Sequence, residues 1–264
     1  MEDLDRPRVV DGSAEGILAD LRWLGLDWGE GGGAGGPFAP YVQSERTAWY
    51  DAAFEKLRAS GLVYPCFCSR KDVQSAASAP QAPGDEWLYP GTCRDLSRAD
   101  VERRAALGAS PAWRFRVDPA AVSPFTDLVR GRYVPEPGSI GDFVVRRADG
   151  VPAYQLAVVV DDIAMNMSEV VRGEDLLAST IRQLLLYRAF GAPPPAFAHV
   201  PLLLGDDGVR LSKRHRGVTL KELRGAGETA EAIVGRLAHR HGLCETDAPI
   251  AARDLIEGFD LADL

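Results

Sequence analysis

Apolar positions recur at helical spacing near the start of this chain. Between residues 14 and 26, Ile17, Leu18, Leu21 and Leu24 share one face, which predicts an amphipathic helix. A glycine-rich stretch, 29–37, interrupts the pattern. It has no Gly-x-Gly-x-x-Gly in a strand-to-helix setting and no following Gly-Lys-Ser/Thr, so it reads as a flexible connection rather than a phosphate cradle. Ser44 is placed to cap a second helix over about 45–60, with Trp49, Ala53, Phe54 and Leu57 inward and Gly61 ending it. Leu62-Val-Tyr64 then predicts a short strand running into Cys66.

Residues 74–86, rich in Ala, Ser, Pro and Gln, predict a mobile loop, and 102–107 a short helix. Trp113-Arg-Phe-Arg-Val117 alternates as a half-exposed strand does. Segments 142–147 and 151–156 flank Ala148-Asp-Gly150, which predicts a hairpin. A strand over 168–172 and a helix over 175–190 follow, the helix with Leu176, Ile181, Leu184 and Leu185 inward. Gly191 and the prolines at 193–195 stop it. Interleaved strands and helices around an irregular cysteine-bearing segment predict an α/β domain interrupted by an insertion. No internal repeat is visible, and the stretch after Lys213 reads as helical.

With 264 residues and 46% hydrophobic content, the chain can bury the core of one large domain or two smaller ones. No apolar run approaches the ~20 residues that span a bilayer. The acidic start, Met1-Glu-Asp-Leu-Asp5, has no signal-peptide apolar region, so a cytoplasmic protein without a membrane partner is expected. A net charge of -8 argues against loose, sequence-blind binding to nucleic acid. It leaves room for a tRNA partner, since a local cluster such as Arg210, Lys213, Arg214 and Arg216 suffices.

Three of the four cysteines, Cys66, Cys68 and Cys93, lie close in sequence, and Cys244 stands apart. In a cytoplasmic chain such a cluster is either a metal clip or a set of buried, inert thiols. A metal would want a fourth ligand, and the nearby oxygen donors are Tyr89, Asp85 and Glu86. A second constellation is Pro152 to Asp162, an apolar run closed by Asp161 and Asp162, followed by Glu169-Val-Val-Arg-Gly-Glu-Asp175. Arg172 stands where a strand turns into a helix and could grip a carboxylate bidentately. The neighbouring acids fit a plain helix-capping role equally well. Third, an apolar run, 200–204, enters a Gly205-Asp-Asp-Gly208 turn and then a basic loop centred on Ser212 and Lys213. That loop could bring an ammonium group onto a polyphosphate, or be a solvated turn.

Taken in order, these segments resemble the class I glutamyl-tRNA synthetase family over nearly the whole chain. Glu2-Asp-Leu-Asp5 is similar to the end of the family's Arg-x-Glu-Asp-x-Asp strand. Val170-Val-Arg-Gly-Glu-Asp175 is similar to its amino-acid-site arginine segment. Arg210-Leu-Ser-Lys-Arg214 is similar to its Lys-Met-Ser-Lys-Ser loop, with the flanks changed. Tyr154-Gln-Leu-Ala-Val-Val-Val-Asp-Asp162 resembles the branch that lacks an anticodon-binding domain and glutamylates queuosine in tRNA(Asp), and so does the Cys-x-Cys…Tyr-x-x-x-Cys set.

The resemblance implies a Rossmann-like nucleotide-binding fold with an inserted zinc-bearing region. Its divisions would be a first catalytic part at 1–63, the zinc-bearing insertion at 64–125, a second catalytic part at 126–200, and an ATP-loop and helical region at 201–264. It implies one structural zinc on Cys66, Cys68, Tyr89 and Cys93. Glutamate would be held by Glu2, Tyr154 and Arg172, and ATP, with Mg2+, by Ser212 and the catalytic Lys213. The reaction would be tRNA-independent glutamyl-adenylate formation, then transfer to the cyclopentene-diol of queuosine in tRNA(Asp), by a monomer. The alternatives are a shortened glutamyl-tRNA synthetase and an inactive tRNA-binding module. The family also places a strand, a His-x-Gly-His motif and a helix ahead of the segment at Glu2. His199, His215, His239 and His241 all fall late and none forms that motif, so the fold is expected to be N-terminally incomplete, with a natural start further upstream.

Overall fold

A computed structural model describes residues 1–76, 88–203, 219–261 and 264. Helices α1 (Ser13–Trp23) and α2 (Thr47–Ala59) come first, then strand β1 (Val63–Cys66) and helix α3 (Arg70–Ala76). Next are α4 (Arg98–Ala106), β2 (Ala112–Phe115), β3 (Phe125–Asp127), β4 (Gly131–Tyr133) and β5 (Phe143–Arg146). The chain continues through α5 (Tyr154–Ala164), β6 (Glu169–Gly173), α6 (Leu177–Phe190), β7 (Ala196–Val200), α7 (Leu220–Gly225) and α8 (Ala230–Arg240).

Strands β1, β2 and β5 form an antiparallel sheet in that order, which takes two strands from the cysteine-bearing segment and one from beyond it. Strands β6 and β7 pair in parallel through the crossover helix α6, placing Arg172 beside His199. The β3–β4 hairpin lies against β7, where the Leu128 N–H donates to the Phe197 carbonyl at 2.8 Å. The main core is built where α2, α5 and α6 cover these strands. Leu57, Val145, Leu156, Val159, Ile181, Leu186 and Phe197 are all buried in it. A smaller cluster of Tyr64, Cys66, Val73, Tyr89 and Cys93 stands apart. No helix among the described residues is long and apolar enough to cross a membrane.

Several local expectations change. Residues 151–156 do not return as a hairpin strand. Pro152 makes one isolated bridge to Arg146, and from Tyr154 the chain is helical. The β-branched run Val158-Val-Val160 reads as strand locally, but spacing of three and four puts Leu156, Val159 and Val160 on one buried helical face, and that burial decides the outcome. Asp161 and Asp162 therefore sit on a helix and not at a strand end. Ser44 does not cap α2, because its hydroxyl and amide both bind the Asp3 carboxylate, at 2.5 and 2.8 Å. Trp49 is 42% exposed, its ring stacked on the Arg46 guanidinium at 3.8 Å. Helix α1 forms, but none of its residues is buried.

Candidate active site

The site begins with how the first residues are pinned. The Met1 ammonium donates to the Tyr41 carbonyl at 2.7 Å, the Gln43 amide to the Met1 carbonyl at 3.0 Å, and Asp3 holds Ser44. Glu2 is thereby fixed where its carboxylate acts electrostatically on Tyr154 and Asp162. Tyr154 opens α5, and its phenol interacts with the guanidinium of Arg172 on β6. Desolvation, with Glu2 next, raises the phenol above its ordinary value, so it remains a hydrogen-bond donor.

Arg172 is half-buried and held from behind. Its Nε donates to His199 Nε2 at 3.1 Å and its Nη2 to Thr180 Oγ1 at 2.7 Å, while its Cζ lies 5.1 Å from the Phe197 ring centroid. Asp162 on α5, which acts electrostatically on Arg172, accepts from the Tyr187 hydroxyl at 3.0 Å. Burial pushes this carboxyl up to about 6, with Tyr187 and Arg172 opposing. The structure thus brings Glu2, Tyr154 and Arg172 together, an anion and a cation about one phenol, suited to a zwitterionic ligand. Ser212 and Lys213 lie outside the described residues, as do Arg210, Arg214, His215 and Arg216.

A cleft of about 990 Å³ runs from Glu2 and Tyr154 to the cysteine cluster, with Arg8, Arg114 and Arg147 on its walls. At its far end the sulfurs of Cys66, Cys68 and Cys93 lie within 4.8 Å of one another, close enough to share a metal ion. Cys68 and Cys93 are 3.6 Å apart, and the Tyr89 hydroxyl is 3.3 Å from Cys66 and 3.7 Å from Cys68. Tetrahedral zinc with Zn–S near 2.3 Å sets ligands about 3.8 Å apart along each edge, slightly less to oxygen, so these four donors fit. The Cys93 amide donates to the Tyr89 oxygen at 2.7 Å, which favours an electron-rich phenol. Arg114 lies over the Tyr89 ring at 3.9 Å and donates to Cys66 Sγ at 3.3 Å, placing a fixed positive charge beside a ligand set that becomes anionic on binding a metal. Burial raises the Cys68 thiol to about 11, a balance that a divalent ion at the cluster would invert. The other oxygen donors considered, Asp85 and Glu86, lie outside the described residues.

Sequence reasoning missed the support behind Arg172, namely His199, Asp127 and Thr180. The available signal was a histidine two residues from Phe197 on one short apolar strand, hence on the same inward face.

The description "tRNA synthetases class I (E and Q), catalytic domain" matches residues 1–261. The chain is 52% identical to a glutamyl-Q tRNA(Asp) synthetase of Symbiobacterium thermophilum, covering 99% of this chain and 81% of that one. It is 50% identical to one of Nitratidesulfovibrio vulgaris, covering 100% and 82%. A crystal structure of a glutamate tRNA ligase from Elizabethkingia meningosepticum in complex with its amino acid superposes with a TM-score of 0.82 at 28% identity, over 100% of this chain and 58% of that one. The family model and these relatives make the protein a ligase of the aminoacyl-tRNA synthetase type. The chain belongs to the class I tRNA synthetase (E and Q) family, in its glutamyl-Q tRNA(Asp) synthetase branch.

Proposed function

We propose that this protein activates glutamate with ATP and transfers the glutamyl group to queuosine in the anticodon of tRNA(Asp). A glutamate carboxylate oxygen attacks the α-phosphorus of Mg2+-bound ATP, and pyrophosphate leaves. A hydroxyl of the cyclopentene-diol then attacks the acyl carbon, and AMP leaves. Glu2 pairs with the substrate ammonium. Arg172 takes a carboxylate, and Tyr154 donates to the amino acid. Ser212 and Lys213 act on the ATP phosphates. Catalysis of this kind rests on positioning and on charge placed where charge develops.

The observation that carries this reading is Arg172, braced by His199 and Thr180 and interacting with Tyr154, on which Glu2 also acts. The names of the relatives support the choice of acceptor. Zinc on Cys66, Cys68, Tyr89 and Cys93 would order the loop-rich insertion, 64–125, between the catalytic parts 1–63 and 126–200. The test is ATP-dependent attachment of labelled glutamate to queuosine-containing tRNA(Asp), with none to the unmodified transcript. Charging of tRNA(Glu) instead would make this a shortened glutamyl-tRNA synthetase. tRNA binding with no glutamate-dependent pyrophosphate exchange would leave only a binding module.

A further inference from the structure

His199 is completely buried on β7, between two groups whose hydrogen-bonding roles are fixed by their chemistry. Its Nδ1 lies 2.5 Å from Asp127 Oδ2. The other Asp127 oxygen accepts backbone N–H groups of Val129 at 3.0 Å, Arg130 at 2.9 Å and His199 itself at 3.1 Å. Burial opposes the charge on Asp127, but these N–H groups and the His199 ring outweigh it and hold the carboxyl below its ordinary value. It is therefore an acceptor only. On the other side of the ring, Arg172 Nε, 3.1 Å from Nε2, can only donate. One state of the imidazole satisfies both neighbours, the neutral ring with its proton on Nδ1. A second proton, on Nε2, would set two donors face to face and place two cations in contact.

We propose that His199, oriented by Asp127, is a positioning residue for Arg172: it aims the guanidinium at the amino-acid carboxylate, and its protonation releases that aim and weakens amino-acid binding. This rests on the reading of Arg172 as the carboxylate ligand. Every element packed against the ring bears on its titration. The β3 hairpin supplies Asp127 and Arg130, β6 supplies Arg172, and α6 supplies the Thr180 hydroxyl at 3.0 Å. The rings of Phe125 and Phe197 complete the wall. Burial lowers the His199 pKa from its ordinary value, Asp127 opposes, and both arginines add to the lowering. The ring is thus neutral at physiological pH, and the brace fails only on acidification.

The experiment is glutamate-dependent pyrophosphate exchange by the full chain between about pH 5.5 and 8, with KM for glutamate and for ATP determined separately. In the wild type, glutamate KM should rise at the acid end while ATP KM stays level. His199→Asn can reach Asp127 but gives Arg172 no acceptor, so glutamate KM should rise about tenfold at pH 7.5, the size expected for a hydrogen bond to a charged group. His199→Gln puts an amide oxygen near the Nε2 position and should recover most of that loss. Both variants should show a smaller acid rise than the wild type, the remainder coming from Asp162, which also acts on Arg172 and titrates in this range. Long-range proton–nitrogen NMR of the wild type should find His199 protonated on Nδ1, a readout needing no variant. A proton on Nε2, or an unchanged glutamate KM in a folded His199→Asn protein, overturns the proposal while leaving the role of Arg172 intact. Arg172→Ala with an unchanged glutamate KM overturns both.

Discussion

Arg46 and Asp161, separated by 115 residues, form a buried ion pair with Nε 2.6 Å from Oδ1. The same carboxylate accepts the Tyr50 hydroxyl at 2.9 and 3.0 Å and the Gln43 side-chain amide at 2.9 Å. Arg46 also donates to the carbonyls of Phe38 and Pro40, so one guanidinium ties α5 to α2 and to the loop before it. Removing the cation alone strands a buried charge. Arg46→Met should therefore cost about 3–5 kcal/mol in urea unfolding, and the double variant Arg46→Met, Asp161→Leu should recover much of it. A single-variant cost below about 1 kcal/mol would show that the pair is not the tie.

Asp162 predicts a pH dependence of the opposite sense from the usual carboxylate. Burial raises its pKa to about 6 in the folded protein, above the ordinary value of 3.8. The folded state therefore binds more protons than the unfolded between these values, and stability from this group falls as pH rises towards about 6. Asp162→Asn keeps an acceptor for Tyr187 and should raise the unfolding free energy at pH 7.5 by about 1–2 kcal/mol. That gain should shrink as pH is lowered to 5. A gain that is the same at both pH values contradicts the burial of a charged Asp162.

Part of the order of elements was legible in the sequence, where periodicity and Gly and Pro stops decide it, but α3, β3, β4 and β7 carried no such signal and α5 read as a strand. Gly61 and Gly191 end their helices with positive φ, as their positions foretold. What was not legible depends on distant partners. Asp3 takes the Ser44 hydroxyl that would otherwise cap α2, and no local pattern announces that. The run 156–160 has strand-like residues, but its outcome is set by which face α2 and α6 cover. In the site, Arg172 stood out because a guanidinium before Gly at an element junction is a chemical signal. Its brace did not, because Asp127 and His199, 72 residues apart, meet only through the contact of the β3 hairpin with β7.

The cysteine cluster predicts a metal dependence of stability. Purified protein should carry about one zinc per chain, and Cys66→Ser or Cys93→Ser should abolish it. Chelation should lower the thermal midpoint and open residues 88–117 to protease before the main core. Replacing zinc with Co2+ should give the absorption of a tetrahedral thiolate site, and Tyr89→Phe should perturb that spectrum. Arg114→Met should weaken metal retention without removing a ligand, since it deletes the positive charge over Tyr89 and Cys66. A metal-free protein with undiminished stability contradicts the site.

Gly173, next to Arg172, is glycine for lack of space rather than for backbone freedom. Its φ of -66° and ψ of 146° suit any residue, but an added Cβ would fall 2.6 Å from Asp175 Oδ1 and 3.0 Å from Leu202 Cδ2. Gly191 is the reverse case, with φ +68° and nothing within 4 Å of an added Cβ. Both alanine variants should lose stability, about 1 kcal/mol at Gly191 from left-handed strain and no more than about 1 kcal/mol at Gly173, the low end of overpacking, since the side-chain ends of Asp175 and Leu202 can give way. Only one should touch the chemistry. The strand β6 that Gly173 ends also carries Arg172, in register with His199, and the clash is relieved by moving the side-chain ends of Asp175 and Leu202 or by shifting that strand end. Gly173→Ala should therefore raise glutamate KM in pyrophosphate exchange, while Gly191→Ala leaves it unchanged. Equal KM values in the two variants would mean that the added methyl is absorbed by the Asp175 and Leu202 side chains without moving Arg172.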